Sequence, residues 1–304
     1  MSSSIQNKGA IMKKIAVGLV AIFGLILLQP AHAEVKKSIA IIDTAIDSSL
    51  PEFNGKIVQE VCLMEEIKCP NGKAFQEGLG SATLPPSEIY FGGFNHGTIM
   101  SLIATKTNPD MNIVFIRIFP KDKTGNVAYN AANANSTVKQ ALDWVIKNKV
   151  KFNIVAVSAS LGQRPLKTGT DYCKVDRFDA SFKASVVSLQ TLGVASIFAT
   201  GNDADKTRIN YPACVPEVVS VASVGPRGNT ENYNNDAKEL DFYALGRQQV
   251  SIGDFSGTSA ANAALAAYWV KYYKGNFQMT YDYLKSVATT SDTAKNNTVV
   301  DILK

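Results

Sequence analysis

The apolar positions of this chain fall into short continuous runs that alternate with segments of helical periodicity. Apolar runs of this length, bounded by turn residues, are typical of strands buried on both faces. Two segments between them, residues 137–148 and 182–192, place apolar side chains on one helical face, and Gly193 stops the second. The predicted strands cover residues 38–42, 112–118, 154–157, 194–199 and 218–224.

This alternation predicts an α/β fold with a doubly wound parallel sheet and helices on both faces, in three layers. Right-handed crossovers follow from that topology, and the carboxyl ends of the strands become the place to look for chemistry. Residues 54–87 and 121–136 are rich in polar and turn-forming residues without clear periodicity, so we predict surface loops there. No repeat or linker divides the chain, and one domain over residues 34–304 is expected.

The first 33 residues have the pattern of a cleaved secretory signal. Lys13 and Lys14 precede an apolar run over residues 15–28, and Ala31-His32-Ala33 provides an A-x-A cleavage site. The run is shorter than the roughly 20 residues that span a bilayer, so we expect no permanent membrane anchor. The chain is therefore expected to be exported, to the periplasm or the medium.

Charge does not indicate a nucleic-acid partner. The 304 residues carry 31 basic and 26 acidic side chains, and Lys8, Lys13 and Lys14 belong to the predicted signal, which contains no acidic residue. The mature chain is therefore nearly neutral, which removes any electrostatic argument for binding nucleic acid. With 46% hydrophobic residues it can bury a substantial core.

All four cysteines follow the predicted signal, so they would pass through an oxidising compartment. Four cysteines allow three pairings, and we favour the local loop Cys62–Cys69 together with Cys173–Cys214. A zinc site is the weaker alternative, because the chain has no CxxC pair and keeps one histidine after cleavage.

Two polar residues stand at predicted element boundaries. Asp43 ends the apolar run of IAIIDTAID, where a lone aspartate would usually serve as a cap or turn former. His96 stands before Gly97 and a helical pattern in FNHGTIMSLIA. Because it is the only histidine outside the predicted signal, any histidine general base must be His96.

Two further residues complete a set with chemical meaning. Asn202 follows a strand and a glycine in IFATGND, and Ser259 stands among small residues before a predicted buried helix in SGTSAANA. Alone, the first would be a turn residue and the second a helix cap. Together with Asp43 and His96 they supply every role needed for acyl transfer: orienting acid, general base, nucleophile and oxyanion donor.

The chain resembles the subtilisin-like serine proteases, the subtilases, in which these residues follow the same order Asp, His, Asn, Ser. The resemblance also covers DWVIKNKVKFNIVAVSASLG (residues 143–162), NYPACVPEVVSVASV (210–224) and ELDFYALG (239–246). It implies a secreted serine endopeptidase acting on protein or peptide substrates. By the same resemblance, Ser160, Leu161 and Gly162 would pair with the substrate backbone. Ala199, Thr200 and Gly201 would line the pocket for the residue before the scissile bond.

Three positions depart from the family pattern. Ala45 and Leu102 replace glycines that relatives usually have, and Ala263 replaces a proline. A glycine often marks a backbone conformation or close approach that a Cβ atom disfavours, so the geometry around Asp43 is in question. These departures keep open a catalytically inactive, subtilase-fold binding protein. A hydrolase of esters or small amides is a third alternative.

The resemblance leaves other properties open. Asp43 follows Ala33 by ten positions, so we expect no large prodomain such as many exported relatives carry. Catalysis of this type requires no cofactor. Relatives often bind structural calcium, but no loop of this sequence has an acidic ligand pattern that identifies a site, and the sequence gives no oligomeric state.

Overall fold

The structure is a computed structural model that describes residues 36–65, 69–128, 131–163, 173, 179–237, 239–290 and 298–299. The predicted signal, residues 1–33, lies outside the described residues. The strands are β1 Ser38–Asp43, β2 Ile57–Leu63, β3 Phe75–Glu77, β4 Asn112–Arg117, β5 Ile154–Ala159, β6 Ala195–Ala199, β7 Val219–Val224, β8 Phe242–Leu245, β9 Arg247–Val250, β10 Gly253–Ser256, β11 Thr289–Thr290 and β12 Thr298–Val299. The α-helices are α1 Pro86–Phe91, α2 Asn95–Thr107, α3 Ala131–Asn148, α4 Ala180–Thr191, α5 Thr258–Lys271 and α6 Phe277–Val287, and Pro51–Phe53 form a 3-10 turn.

The described strands build one large sheet and one small hairpin. The large sheet has the order β11-β12-β8-β7-β6-β5-β1-β4-β2-β3, and β9 pairs with β10 separately. All neighbours from β12 to β2 are parallel, while β11 and β3 add antiparallel edges. Strand β1 has β4 on one side and β5 on the other, so the order reverses beside it. The crevice beyond the carboxyl end of β1 is therefore the expected ligand site of such a sheet.

The two faces of the sheet carry separate cores, as the alternation along β1 illustrates. Ile39 and Ile41 pack with residues of α2 and α5, whereas Ala40 and Ile42 pack with residues of α3 and α4. Successive side chains of a strand point to opposite faces, so a continuous apolar run is what a sheet covered on both sides requires. The predicted three-layer, doubly wound α/β fold is confirmed.

Helix α5 is buried over all but its last residue, Lys271. Every residue from Thr258 to Val270 is buried, and seven of these thirteen residues are serine or alanine. A helix that is apolar all round is a core helix. Small side chains let its axis approach the sheet, and this approach brings its first turn to the carboxyl edge.

The two predicted loops are partly wrong. Residues 54–87 contain β2 and β3 and the start of α1, and residues 121–136 contain the first turns of α3. Strand β2 was not predicted because Glu60 interrupts its apolar pattern. Although Glu60 is a charged residue, it is only 1% exposed. Its Oε2 accepts hydrogen bonds from the Ala82 N–H at 3.0 Å and from Thr83 Oγ1 at 3.2 Å, which compensates for its burial.

Both predicted disulfides are present. Cys62 at the end of β2 is bonded to Cys69, and Cys173 is bonded to Cys214. Cys62 and Cys69 are buried and pack with Met64 in a small apolar cluster. The favoured pairing is therefore confirmed over the two alternatives, and no cysteine of the described residues remains for a zinc site.

Candidate active site

Asp43 and His96 meet at the carboxyl edge of the sheet. Asp43 is the last residue of β1, and His96 is the second residue of α2. His96 Nδ1 lies 2.8 Å from Asp43 Oδ1 and 3.0 Å from Oδ2, with the carboxylate side chain only 3% exposed and the imidazole 22% exposed. The Thr44 N–H donates to Asp43 Oδ1 at 2.7 Å and fixes the carboxylate further. This arrangement holds the imidazole ring with its other nitrogen, Nε2, directed away from Asp43.

Thr44 ties the start of α2 to the end of β1. Its hydroxyl donates to the Phe94 carbonyl at 2.7 Å and accepts from the Gly97 N–H at 3.0 Å. That N–H is one of the first-turn donors that a helix cannot satisfy internally. Gly97 also permits close packing, because a Cβ there would lie 2.5 Å from the Ala45 carbonyl oxygen. The position of His96 is therefore set by the contacts of Thr44 and Gly97 as well as by Asp43.

Alanine at position 45 does not disturb this geometry. Ala45 is completely buried beside Phe94, and the described non-glycine residues with positive φ are Asn153 and Ala204 alone. The backbone at Ala45 therefore has no conformation that requires glycine. The close approach that glycine permits in this region occurs at Gly97 instead.

Ser259 and Asn202 lie at the first turn of α5. Ser259 is the second residue of that helix and is 8% exposed. Asn202 Oδ1 accepts from the Thr258 N–H at 2.9 Å and from Thr258 Oγ1 at 3.0 Å, which leaves the Asn202 amide hydrogens free to donate elsewhere. Within the described residues the Ser259 N–H has no hydrogen-bond acceptor. A helix start with a free N–H beside a side-chain amide favours developing negative charge.

The two halves of the site, the Asp43–His96 pair and the first turn of α5, are not joined by a hydrogen bond between His96 and Ser259 in the described part of the chain. Such bonds are often long without substrate and shorten in the substrate complex. Phe255 lies against His96 with ring centroids 5.6 Å apart and an interplanar angle of 73°, so it holds the ring edge-on. Sequence reasoning missed Phe255, although it lies four residues before Ser259.

The environment of His96 changes its acidity. Burial of the imidazole opposes its protonation, but the negative charge of Asp43 and the hydrogen bond to it favour the protonated ring more strongly. The pKa of His96 is consequently raised above its ordinary value of 6.5. A histidine paired in this way is a stronger base than a free one, at the cost of being protonated to a higher pH.

The segment predicted to bind substrate is linked to the Ser259 helix. Ser160 follows β5, and its hydroxyl donates to the Ser259 carbonyl at 3.1 Å and accepts from Asn262 Nδ2, also at 3.1 Å. Asn262 Nδ2 also donates to Ser158 Oγ at 3.0 Å. Asn262 is fully buried one turn after Ser259, and it was not identified from sequence because a buried asparagine inside an alanine run resembles core packing.

The described residues add two further observations. They contain no group of three or more histidine, cysteine, aspartate or glutamate side chains placed to bind a metal ion. The helices over these same residues include none with the length and apolarity needed to cross a membrane.

Fold and site define a class of three-layer α/β domains in which an Asp–His pair and a serine-bearing helix start share the carboxyl edge of a parallel sheet. The family model described as "Subtilase family" (Peptidase_S8) matches residues 36–302. The chain belongs to this family.

Individual relatives are distant in sequence. Subtilisin E of Bacillus subtilis (strain 168) is 24% identical over 245 residues, covering 75% of this chain and 53% of the relative. Subtilisin-like protease 2 of Arthroderma benhamiae is 24% identical over 287 residues, covering 88% and 61%. The chain thus spans about half the length of the curated relatives it matches.

Solved structures support the same fold. The nisin leader peptidase NisP from Lactococcus lactis superposes with a TM-score of 0.62 at 14% identity, covering 88% of this chain and 86% of that one. A cold adapted subtilisin-like serine proteinase gives a TM-score of 0.60 at 19% identity, covering 88% and 89%. At these identities the likeness concerns the fold.

Proposed function

We propose that this chain is an exported serine endopeptidase that hydrolyses internal peptide bonds through an acyl-enzyme. The observation that carries the proposal is the bond from His96 Nδ1 to both oxygens of the buried Asp43 carboxylate, 2.8 and 3.0 Å away. Such a pair sets the tautomer of the imidazole, so that Nε2 is left unprotonated and able to accept a proton. Family membership over residues 36–302 adds to this support.

In the proposed reaction Ser259 Oγ attacks the peptide carbonyl carbon while His96 Nε2 takes the hydroxyl proton. The C–N bond then breaks as His96 gives that proton to the leaving amine, and the acyl group stays on Ser259. Water attacks the ester, again losing a proton to His96. The bond to Ser259 breaks, Oγ is reprotonated and the acid is released. Asp43 stabilises the imidazolium formed in each half.

Two donors would hold the negative oxygen of the tetrahedral intermediate. One is the Ser259 N–H, which has no acceptor among the described residues, and the other is the Asn202 amide. Thr258 donates two hydrogen bonds to Asn202 Oδ1, which fixes the orientation of the side-chain amide. Asn202 Nδ2 is therefore the amide atom that would donate to the substrate oxygen. Donors fixed before the reaction need no reorganisation when the charge develops.

Export is part of the proposal. The disulfides Cys62–Cys69 and Cys173–Cys214 support folding in an oxidising compartment, and the N-terminal sequence pattern has the features of a secretory signal. A protein or peptide substrate would pair with the partly exposed segment 160–162 that follows β5. The proposal needs no cofactor for catalysis.

A fluorophosphonate probe tests the proposal directly. The Ser259 oxygen is expected to displace fluoride and retain the phosphonyl group, and mass spectrometry of the digested protein locates it. The label should be lost in His96→Ala, because the hydroxyl is then no longer activated. A folded protein that takes no label and leaves denatured casein intact would instead be the inactive binding protein.

The pH dependence of activity provides a separate prediction. His96 accepts a proton only when neutral, and its pKa is raised, so kcat/KM is expected to fall with decreasing pH through a midpoint above 6.5. Hydrolysis of an uncharged peptide, followed from about pH 5 to 9, measures this midpoint. An acid midpoint below 6.5 would contradict the assignment of His96 as the base paired with Asp43.

A further inference from the structure

The proposed substrate pocket lies between two diverging segments. Strands β5 and β6 are parallel neighbours with Ala159 opposite Phe198, and the chain continues from them as residues 160–162 and 199–201. Residues 160–162 are predicted to pair with the substrate backbone, and residues 199–201 to line the pocket for the substrate residue that precedes the scissile bond. Which side chains that pocket accepts depends on what lies at the far end of the wedge between them.

Asn210 occupies the far end of this wedge. A Cβ atom added at Gly162 would lie 3.2 Å from Asn210 Cβ, and one added at Gly201 would lie 2.2 Å from Asn210 Nδ2. The asparagine side chain therefore lies against the last residue of both lining segments, and both of those residues are glycines. It is 6% exposed, so the asparagine is buried between the two segments.

The backbone around Asn210 closes the wedge as well. The Asn210 N–H donates to the Thr200 carbonyl at 2.9 Å. Tyr211 and Gln163 exchange two backbone hydrogen bonds, of 2.7 and 3.1 Å. The backbone at residues 210–211 is thus hydrogen-bonded to both segments that form the wedge. It cannot move out of the wedge without breaking these hydrogen bonds.

A hydrogen-bond network fixes the orientation of the Asn210 amide. Asn210 Oδ1 accepts from Asn235 Nδ2 at 2.9 Å, and Asn210 Nδ2 donates to Asp203 Oδ2 at 3.1 Å. Asn235 Nδ2 also donates to Asp203 Oδ2 at 3.0 Å, while Asn235 Oδ1 accepts from the Asp203 N–H at 2.9 Å. Rotating the Asn210 amide out of the wedge would leave several buried polar groups without partners, which is costly.

We infer that Asn210 is the floor of a shallow pocket and makes the enzyme select short side chains, namely glycine, alanine or serine, before the scissile bond. The inference rests on the proposed peptidase function and extends it to a substrate class. A phenylalanine or leucine at that position would have to displace a buried, hydrogen-bonded asparagine. Pockets discriminate strongly when accepting a substrate would leave their own polar groups unpaired.

Matched peptides that differ only in the residue before the cleaved bond test this inference. Wild-type protein is expected to hydrolyse the alanine peptide with a kcat/KM at least about tenfold above that of the phenylalanine peptide. Asn210→Gly should open the floor and lower that ratio by about tenfold or more. Asn108→Gly is the matched control, because Asn108 is also buried and hydrogen-bonded but follows the distant end of α2. It should leave the ratio unchanged.

A binding experiment tests this inference separately from the proposed function. Calorimetry with Ser259→Ala protein and peptides ending in alanine or phenylalanine measures the pocket without any chemistry. Tighter binding of the alanine peptide would support the inference even if the wild type proved inactive. A preference of wild type or of Ser259→Ala for phenylalanine would overturn it while leaving the peptidase proposal intact. If Asn210→Gly folds poorly by circular dichroism, Asn210→Ser and the wild-type ratio decide.

Discussion

Replacing Ser259 by alanine is expected to lower kcat for peptide hydrolysis by about a millionfold and to leave the fold intact, a magnitude taken over from subtilisin itself. The substitution removes one oxygen from a position where alanine fits, since Ser259 begins a run of buried alanines in α5. Without Oγ no acyl-enzyme forms, and His96 has no proton to accept. Initial rates on a fluorogenic peptide measure the loss, and circular dichroism verifies the fold.

Ser256→Ala is the matched control for this experiment. Ser256 is an exposed serine of β10 three positions before Ser259, and its hydroxyl contacts Tyr233 rather than the Asp–His pair. Its substitution should leave turnover nearly unchanged. His96→Ala should cost about as much as Ser259→Ala, and the double variant little more, because the residues act as one unit. Equal turnover by Ser259→Ala and wild type would remove Ser259 from the mechanism.

Asp43→Asn is expected to lower kcat by about 10⁴-fold, the loss known for the corresponding change in another serine protease family. An asparagine amide can donate a hydrogen bond to His96 Nδ1, which moves the ring proton to Nε2, where it blocks acceptance of the serine proton. The replacement is nearly isosteric, so the lost activity should not reflect unfolding. Turnover of the fluorogenic peptide by the variant, compared with its thermal unfolding, separates these two effects.

Asp47→Asn is the control for position 43. Asp47 is likewise buried, but its carboxylate accepts from Ser49 and Tyr90 and makes no contact with His96. The Asp47 variant should therefore lose stability without the large loss of turnover. A loss of less than about tenfold in Asp43→Asn would mean that the Asp43–His96 pair is structural.

Much of the fold could be predicted because strands β1, β4, β5, β6 and β7 are buried on both faces. A strand of this kind is apolar at most positions, and such a run can be recognised without knowing its neighbours. The strand β2 could not be recognised in this way. Glu60 interrupts it, and the groups that satisfy Glu60 come from Ala82 and Thr83, more than twenty residues further along the chain.

The residues of the candidate site also differ in whether they could be predicted from sequence. Asp43 and His96 could be paired from sequence because their residue types and chain order carry a chemical meaning, and the structure brings the two together. The catalytic roles of all four residues, Asp43, His96, Asn202 and Ser259, stay predictions. Sequence did not identify Thr44, Phe255 or Asn262 as part of the site. Each contacts a residue that is far away in the sequence, namely Gly97, His96 and Ser160, and the residues next to each one in sequence do not indicate that contact.

The proposed role of Asn210 as the pocket floor could not be predicted from sequence. Asn210 directly precedes the Tyr-Pro turn that resembles the one in subtilases. From its neighbours in sequence alone, it would be interpreted as an ordinary turn asparagine. Its importance arises from Gly162, Gly201 and Asn235, which approach it from three separate parts of the chain. Only the assembled sheet places these groups around one space.

The burial of helix α5 has a consequence for how this protein could evolve. Between Ala260 and Ala267 nearly every side chain already fills its share of space against the sheet, so enlarging one requires shrinking a partner on a facing strand. Single substitutions there would be removed by selection before their effect on specificity mattered. Divergence toward new substrates, in nature or in a directed-evolution library, is therefore expected to accumulate in the surface turn between Ala204 and Arg208, which follows Asn202 closely in the chain and does not belong to the core.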